Sequence, residues 1–350
     1  VLIAILAAAF YMGWAMGGND AANSMGASVG ARILTLRRAI TILALFVILG
    51  AVLEGHHVMH TVGKGIILFE NENAAQVQAD NLGIPTDVEP TPFAFVPWAA
   101  FASVFAAAIW VMVATRLGLP VSTSHSIVGG VMGAGFALMF LNAPPLAAAG
   151  VTISFTKFSQ IVLSWVLTPF AAIAFAYLAY FISDRPLRRV KNIALLNTIY
   201  SIMVIATASY VAYSFGANDV GNAAGAVLAA NPTFNMQMLA LFAGVAIVCG
   251  AVTYSRRVID TIGKRITVLA PPMAFAALFG AALTVHIFTQ FGIPVSTSHA
   301  AVGGVIGVGL VRGISAVSGR KVRWISLAWV LTPLVAMAIS FGLVVLLVGV

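Results

Sequence analysis

An eight-residue string with a polar core occurs twice in an otherwise apolar chain. Gly118-Leu119-Pro120-Val121-Ser122-Thr123-Ser124-His125 returns as Gly292-Ile293-Pro294-Val295-Ser296-Thr297-Ser298-His299. Three further pairs keep the same order in two halves. Gly18-Asn19-Asp20-Ala21-Ala22-Asn23 is echoed by Ala217-Asn218-Asp219-Val220-Gly221-Asn222, and Thr61-Val62-Gly63-Lys64 by Thr261-Ile262-Gly263-Lys264. Trp165-Val166-Leu167-Thr168-Pro169 matches Trp329-Val330-Leu331-Thr332-Pro333. Ordered echoes of this kind are an internal duplication, which is how many secondary transporters are built.

With 61% hydrophobic and 8% charged residues, the chain is far from a soluble domain, where about a quarter of residues are charged. Residues 39–53, 96–115, 158–182, 195–216, 237–254 and 324–350 are apolar enough and long enough to cross a hydrocarbon core about 30 Å thick. Continuous apolar runs favour helices over barrel strands, which alternate. The one cysteine, Cys249, excludes an intrachain disulfide.

The formal charge of +8 does not describe a nucleic-acid surface, because the basic residues sort by loop. Arg32, Arg37 and Arg38, then Arg116, then Arg185, Arg188, Arg189 and Lys191, then Arg256, Arg257, Lys264 and Arg265, then Arg312, Arg320, Lys321 and Arg323 occupy every second connection. Those are 16 of the 18 Lys and Arg, with Lys64 and Lys157 on the other side. Basic loops face the cytoplasm, which places both termini outside it. Equivalent loops of the two halves differ in charge: 65–92 has five acids and no base, whereas 255–265 is basic. Five crossings per half would invert the second copy and bring the duplicated motifs together near mid-depth.

The uncharged stretch from Val268 to Val311 has 44 residues and would be about 66 Å long as one helix, so it must fold back. Gly292-Ile293-Pro294 is the expected break, with proline starting a new helix at its first turn. Ser296, Thr297 and Ser298 then lie at a helix N-terminus, whose free N–H groups and dipole favour an anion. Pro120, Ser122, Thr123 and Ser124 repeat the arrangement. Each octet precedes glycines four apart, Gly129 and Gly133, Gly303 and Gly307, read as close helix packing.

Of ten acids, Asp20, Asp219 and Glu54 fall within the apolar segments. An intramembrane carboxylate costs at least about 2.5–3.5 kcal/mol, so it lines a pathway or binds an ion. Asp20 and Asp219 are bracketed by Asn19 and Asn23, and by Asn218 and Asn222, in segments read as weakly broken. Carboxylate, amide and freed carbonyl oxygens suit Na⁺ or a proton relay. The bland reading of these acids is an N-cap at a helix restart. Glu54, whose counterpart is Tyr254, also reads as an edge residue facing water. His56 and His60 share a helix face without a fuller ligand set. His125 and His299 are expected either to donate to an anion or to stabilise the hairpin. Ser124 beside His125 does not make a nucleophile–base pair, and the chain is not expected to be an enzyme.

In its Gly17-Gly18-Asn19-Asp20 and Gly216-Ala217-Asn218-Asp219 segments and its two Pro-Val-Ser-Thr-Ser-His segments, the chain resembles the inorganic phosphate transporter (PiT) family over nearly its whole length. The first copy departs from the Gly-Ala-Asn-Asp pattern at its alanine. The resemblance implies an all-α polytopic membrane protein, an inverted-topology repeat transporter with broken helices or re-entrant hairpins and about 10–12 membrane segments. Its repeats would be 1–183 and 195–350, joined by a cytoplasmic linker at 184–194 of the short prokaryotic type. It also implies a homodimer in the plasma or inner membrane and a transport role for an acid at the position of Glu54.

Phosphate is an anion, and neither octet has Lys or Arg to neutralise it. Residues and resemblance therefore agree on an expected mechanism. Ser122, Thr123, Ser124, Ser296, Thr297 and Ser298 hold phosphate, while Asn19, Asp20, Asn23, Asn218, Asp219 and Asn222 hold sodium as co-substrate, with Glu54 as a coupling residue and no other cofactor. A proton-coupled phosphate or sulfate permease and an anion channel are the alternatives.

Overall fold

Backbone groups in hydrocarbon find no water, so apolar segments satisfy their hydrogen bonds within helices. The computed structural model describes residues 1–85, 87, 89–117, 121–142, 146–265, 270–311, 313 and 319–349, and for 256–265, 320 and 321 the backbone alone. In the first half the elements are α1 (Leu2–Gly30), α2 (Leu36–Glu54), α3 (His56–Lys64), β1 (Ile67–Phe69), α4 (Glu72–Asn81), α5 (Pro92–Phe95), α6 (Pro97–Arg116), α7 (Thr123–Leu141), α8 (Leu146–Ala149), β2 (Val151–Ile153) and α9 (Phe155–Leu187). The second half has α10 (Ile193–Ala230), α11 (Met236–Arg265), α12 (Pro271–Gln290), α13 (Thr297–Val311) and α14 (Gly319–Val348). Among the described residues nine helices are long and apolar enough to cross a membrane, and the shorter apolar α13 stands where α7 stands in the first half.

The helices start where the sequence supplies caps. Thr35 accepts from Arg38 N–H at α2, Ser122 from His125 N–H at α7 and Asn192 from Leu195 N–H at α10, each satisfying an orphan donor of the first turn. Helix α9 runs on to Leu187 and α10 starts at Ile193, leaving Arg188–Asn192 between them. One feature departs from an all-helical expectation. β1 and β2 pair antiparallel, Ile67 opposite Ile153 and Phe69 opposite Val151, forming a two-stranded ribbon around the acidic segment of the first half.

The halves interlock crosswise. α1 packs on α11 and its equivalent α10 on α2, while α7 packs on α14 and its equivalent α13 on α9. Lipid is as apolar as a leucine side chain, so association rests on close backbone approach at small residues. The crossings show it in duplicate. A Cβ on Gly17 would overlap the Ile247 carbonyl and one on Gly250 the Trp14 carbonyl; a Cβ on Gly216 would overlap that of Val47 and one on Gly50 that of Tyr213. Gly129 and Gly133 meet the backbone of Pro333 and Met337 in the same way, and Gly303 and Gly307 that of Pro169 and Ile173, which is the packing role expected of these pairs. Apolar side chains such as Leu163, Phe170 and Ile182 of α9 and Val330 and Leu334 of α14 stay exposed, as lipid-facing surfaces do.

This packing has a direct test. Gly250→Ala and Gly50→Ala should each destabilise the protein by about 1–3 kcal/mol through overpacking. Gly342→Ala, whose added Cβ meets nothing, should leave the melting temperature unchanged or raise it in thermal unfolding of the detergent-solubilised protein.

Candidate functional site

Asp20 on α1 and Asp219 on α10 are fully buried, and both helices run through them without interruption. The expected break at each acid, and with it a set of freed carbonyls, is therefore corrected. Gly17 and Gly216 admit a neighbouring helix. Nor does either aspartate cap a restarting helix.

The turns before α7 and α13 do carry the expected polar clusters. Ser296 accepts from His299 N–H at 3.1 Å as Ser122 does from His125 N–H at 3.2 Å. α13 begins at Thr297, so Pro294 precedes the cap and does not open the first turn as expected. The corresponding Gly118, Leu119 and Pro120 lie outside the described residues. Both octets are buried from their valine onward, and they bond each other. Ser124 donates to the Val295 carbonyl at 2.7 Å and Ser298 to the Val121 carbonyl at 3.1 Å. The turns thus meet inside the protein, one from each half.

The acids join this contact. Thr123 Oγ1 donates to Asp20 Oδ2 at 3.0 Å and lies 3.4 Å from Asp219 Oδ1, so one hydroxyl touches both carboxylates. Asn23 Nδ2 donates to Asp20 Oδ1 at 2.9 Å and to Ser298 at 2.8 Å; Asn222 Nδ2 donates to Asp219 Oδ1 at 2.6 Å and to Ser124 at 3.0 Å. Of the other two asparagines, Asn218 also donates to Asp219 Oδ1 at 3.2 Å, and the remaining bonds tie the scaffold. Asn218 Nδ2 donates to the Val295 carbonyl at 2.8 Å while its Oδ1 accepts from Val295 N–H at 3.2 Å. Asn19 Nδ2 donates to Thr115 at 2.6 Å.

Three buried oxygens of these residues, Asp219 Oδ2, Asn222 Oδ1 and Thr297 Oγ1, have no hydrogen-bond partner among the described residues. Neither carboxylate has a cationic partner there: the ion pairs are Arg188 with Asp184 and His286 with Glu54. Buried charge without a partner is expensive, so this arrangement calls for a cation from outside the chain. Carboxylate, amide and hydroxyl oxygens are the donors that a hard cation takes.

Residue types alone did not reveal every participant. Thr115 and the carbonyls of Val121 and Val295 enter through backbone geometry that no residue pattern displays. Around Glu54, Gln290 Nε2 donates to Oε2 at 2.8 Å, His286 Nε2 lies 3.1 Å from the same oxygen, and Tyr210 OH lies 2.8 Å from His286 Nδ1. Polar His286 and Gln290 in the apolar α12 were the available signal. Glu54, His286 and Tyr210 line a cavity of about 520 Å³ with Tyr213; the partners of Glu54 come from α12, not from the central acids. The His56 and His57 rings lie 4.0 Å apart, tilted, and no group of three metal-ligating side chains gathers among the described residues. His125 and His299 bond backbone carbonyls of α14 and α9 and do not present these nitrogens to an anion. Ser124 and His125 address different partners, so no nucleophile–base pair exists.

An all-α membrane protein whose inverted halves carry duplicated carboxylate, amide and hydroxyl groups to one buried centre is a transporter of the inverted-repeat class. The phosphate transporter family profile matches residues 16–340. The chain belongs to that family, and it is a transporter, not an enzyme. It is 31% identical to a Thermococcus kodakarensis protein named as a candidate phosphate permease, over 97% of this chain and 96% of the other. It is 29% identical to inorganic phosphate transporter 2-1, chloroplastic, of Arabidopsis thaliana, over 92% of this chain and 68% of the other. A solved structure described as the sodium-dependent phosphate transporter superposes with a TM-score of 0.78 at 29% identity, covering 99% of this chain and 98% of that one.

Asn218 anchors the second turn at both its N–H and its carbonyl, so Asn218→Ala leaves the buried Val295 N–H unpaired. The variant should lose about 1–3 kcal/mol of stability, read as a lower melting temperature, and Asn218→Asp should restore it only in part, because a carboxylate accepts from the Val295 N–H but cannot donate to the Val295 carbonyl or to Asp219.

Proposed function

We propose that this protein imports inorganic phosphate coupled to sodium by alternating access around the buried centre. The carrying observation is the pair of buried carboxylates, Asp20 and Asp219, touching one hydroxyl and lacking any cationic partner among the described residues. Sodium binds at Asp20 and Asp219 with Asn23, Asn222 Oδ1 and Thr297 Oγ1, while Asn218 holds the Val295 backbone and Asn19 the Thr115 hydroxyl. Phosphate sits on the hydroxyls of Ser122, Thr123, Ser124, Ser296, Thr297 and Ser298 and on the N-termini of α7 and α13. Its arrival displaces the present bonds of Ser124 and Ser298 across the turns.

Electrostatics supplies the coupling. Unit like charges about 4 Å apart repel by about 4 kcal/mol at an effective dielectric near 20, or about three decades in affinity. Phosphate beside two bare carboxylates is therefore excluded until cations intervene, and sodium gains from the anion in return. The likeness to a solved sodium-dependent transporter supports sodium as the cation. Glu54, at the cavity with His286, is the proposed coupling residue outside the centre.

Radiolabelled phosphate uptake into proteoliposomes should be driven by an imposed sodium gradient and not by a proton gradient alone. Asp20→Asn and Asp219→Asn should each abolish sodium-driven uptake while the purified protein keeps its melting temperature; normal uptake by either would remove the assignment.

The loop charges support repeats at 1–183 and 195–350 inverted about a 184–194 linker, with both termini outside the cytoplasm in a plasma or inner membrane. Single cysteines replacing Asp80 and Asn231, with Cys249 removed, should react with an impermeant maleimide from outside intact cells. Cysteines replacing Arg188 and Lys321 should react only after permeabilisation. Labelling of the first two from opposite faces would make the repeats parallel.

A further inference from the structure

Trp165–Pro169 and Trp329–Pro333 lie within helices α9 and α14, each with its proline inside the helix. A proline lacks the N–H that would bond the carbonyl four residues back. For Pro169 that carbonyl belongs to Trp165, and for Pro333 to Trp329. Histidines from the opposite half take both: His299 Nδ1 lies 2.9 Å from the Trp165 oxygen and His125 Nδ1 lies 3.0 Å from the Trp329 oxygen. A carbonyl only accepts, so each Nδ1 carries a proton and each neutral ring leaves Nε2 bare.

The rings also gather in one cluster. His125 stacks on Trp165 at 3.8 Å, His299 lies tilted on Trp329 at 3.6 Å, and the two imidazoles touch edge to face at 4.6 Å. Each histidine therefore packs on one tryptophan and bonds the carbonyl of the other. Both Nε2 atoms and both indole N–H groups are buried without partners among the described residues, so the directional bonds of the cluster are the two to the freed carbonyls. Each histidine directly follows a serine of the centre, Ser124 or Ser298, in the first turn of α7 or α13.

We propose that the proline-freed carbonyls and the two histidines form a positioning device for phosphate. His125 and His299 fix the rotation of α7 and α13, and thereby the direction of the serine hydroxyls and helix N-termini that receive the anion. This rests on reading the octets as the phosphate site. The bonds cross between halves, so the roles pair as His125 with Pro333 and His299 with Pro169, a partnership that sequence order does not suggest.

Phosphate KM and maximal rate for sodium-driven uptake, measured in proteoliposomes, test the device. His125→Ala should raise KM about tenfold, the scale of one lost buried hydrogen bond, with little change in maximal rate. His125→Asn, whose amide N–H can occupy the Nδ1 position, should return KM to within about threefold of the parent. Pro333→Ala restores an N–H that competes for the Trp329 carbonyl and should also raise KM. Added to His125→Ala it should contribute nothing further, whereas added to His299→Ala its effect should multiply. Unchanged KM in His125→Ala and Pro333→Ala, or equal multiplication in matched and crossed pairs, overturns the proposal. Where His125→Ala does not fold, Pro333→Ala alone decides: a raised KM supports the device and an unchanged KM overturns it. Ser124→Ala and Ser298→Ala separate the two readings. If they raise KM while the histidine and proline variants do not, positioning alone fails; if they leave KM unchanged, the phosphate site itself is misplaced and the device falls with it.

Discussion

Two carboxylates buried side by side without a cation among the described residues set the terms for everything around them. Asp20 and Asp219 are held by asparagine N–H groups and by the hydroxyl of Thr123, which lessens the desolvation penalty without neutralising charge. Glycine contacts lock α1 on α11 and α10 on α2, and α2 packs on α11 as α1 does on α10, so the helices carrying the acids belong to one packed group. The centre is thus held in a form that a mobile cation completes. A transporter needs that property, since a site satisfied by its own lysine would gain far less from binding an ion.

Duplication solves a geometric problem at the same time. One turn presents hydroxyls and a helix N-terminus from a single direction, and an anion held on one side faces the bilayer interior on the other. Two inverted copies put Val121 and Val295 carbonyls, Ser124 and Ser298 hydroxyls in mutual contact, so the site is closed from both halves. Because helices pack crosswise between halves, neither repeat is a spatially separate unit. Movement of any one element is felt on both sides of the centre.

Much of this was legible in the sequence because the chemistry that makes a membrane transporter is scarce in such a chain. With few polar residues in apolar spans, Asp20, Asp219 and the serines of the octets stood out, and the structure brings them into contact. What stayed hidden was backbone. Nothing in residue type distinguishes a glycine that breaks a helix from one that admits a neighbour, and the segments around Asp20 and Asp219, expected to be weakly broken, are the continuous helices α1 and α10. What residue type did not show is that the Asn218 amide bonds both sides of the Val295 peptide group while also reaching Asp219 Oδ1 at 3.2 Å. The short ribbon of β1 and β2 was invisible for a similar reason: Ile67–Phe69 and Val151–Ile153 are too short to show alternation.

The departures from symmetry carry their own meaning. In register with the octets, Gln290 stands where Arg116 stands in the first half, and in register with Thr61–Lys64 and Thr261–Lys264, Glu54 pairs with Tyr254. Glu54 joins Gln290 and His286 beside a cavity, while Tyr254 packs its ring against Gly18 and Trp14. The glycine that departs from the Gly-Ala-Asn-Asp pattern therefore has a physical partner, since a Cβ there would come within 3.1 Å of the Tyr254 ring. In the proposed cycle the symmetric centre handles the same ions whichever side is open. The two flanks would then meet different solutions, and Glu54 beside His286 on one contrasts with Tyr254 against Trp14 on the other. Symmetry is retained where both access states share the chemistry and abandoned where they do not.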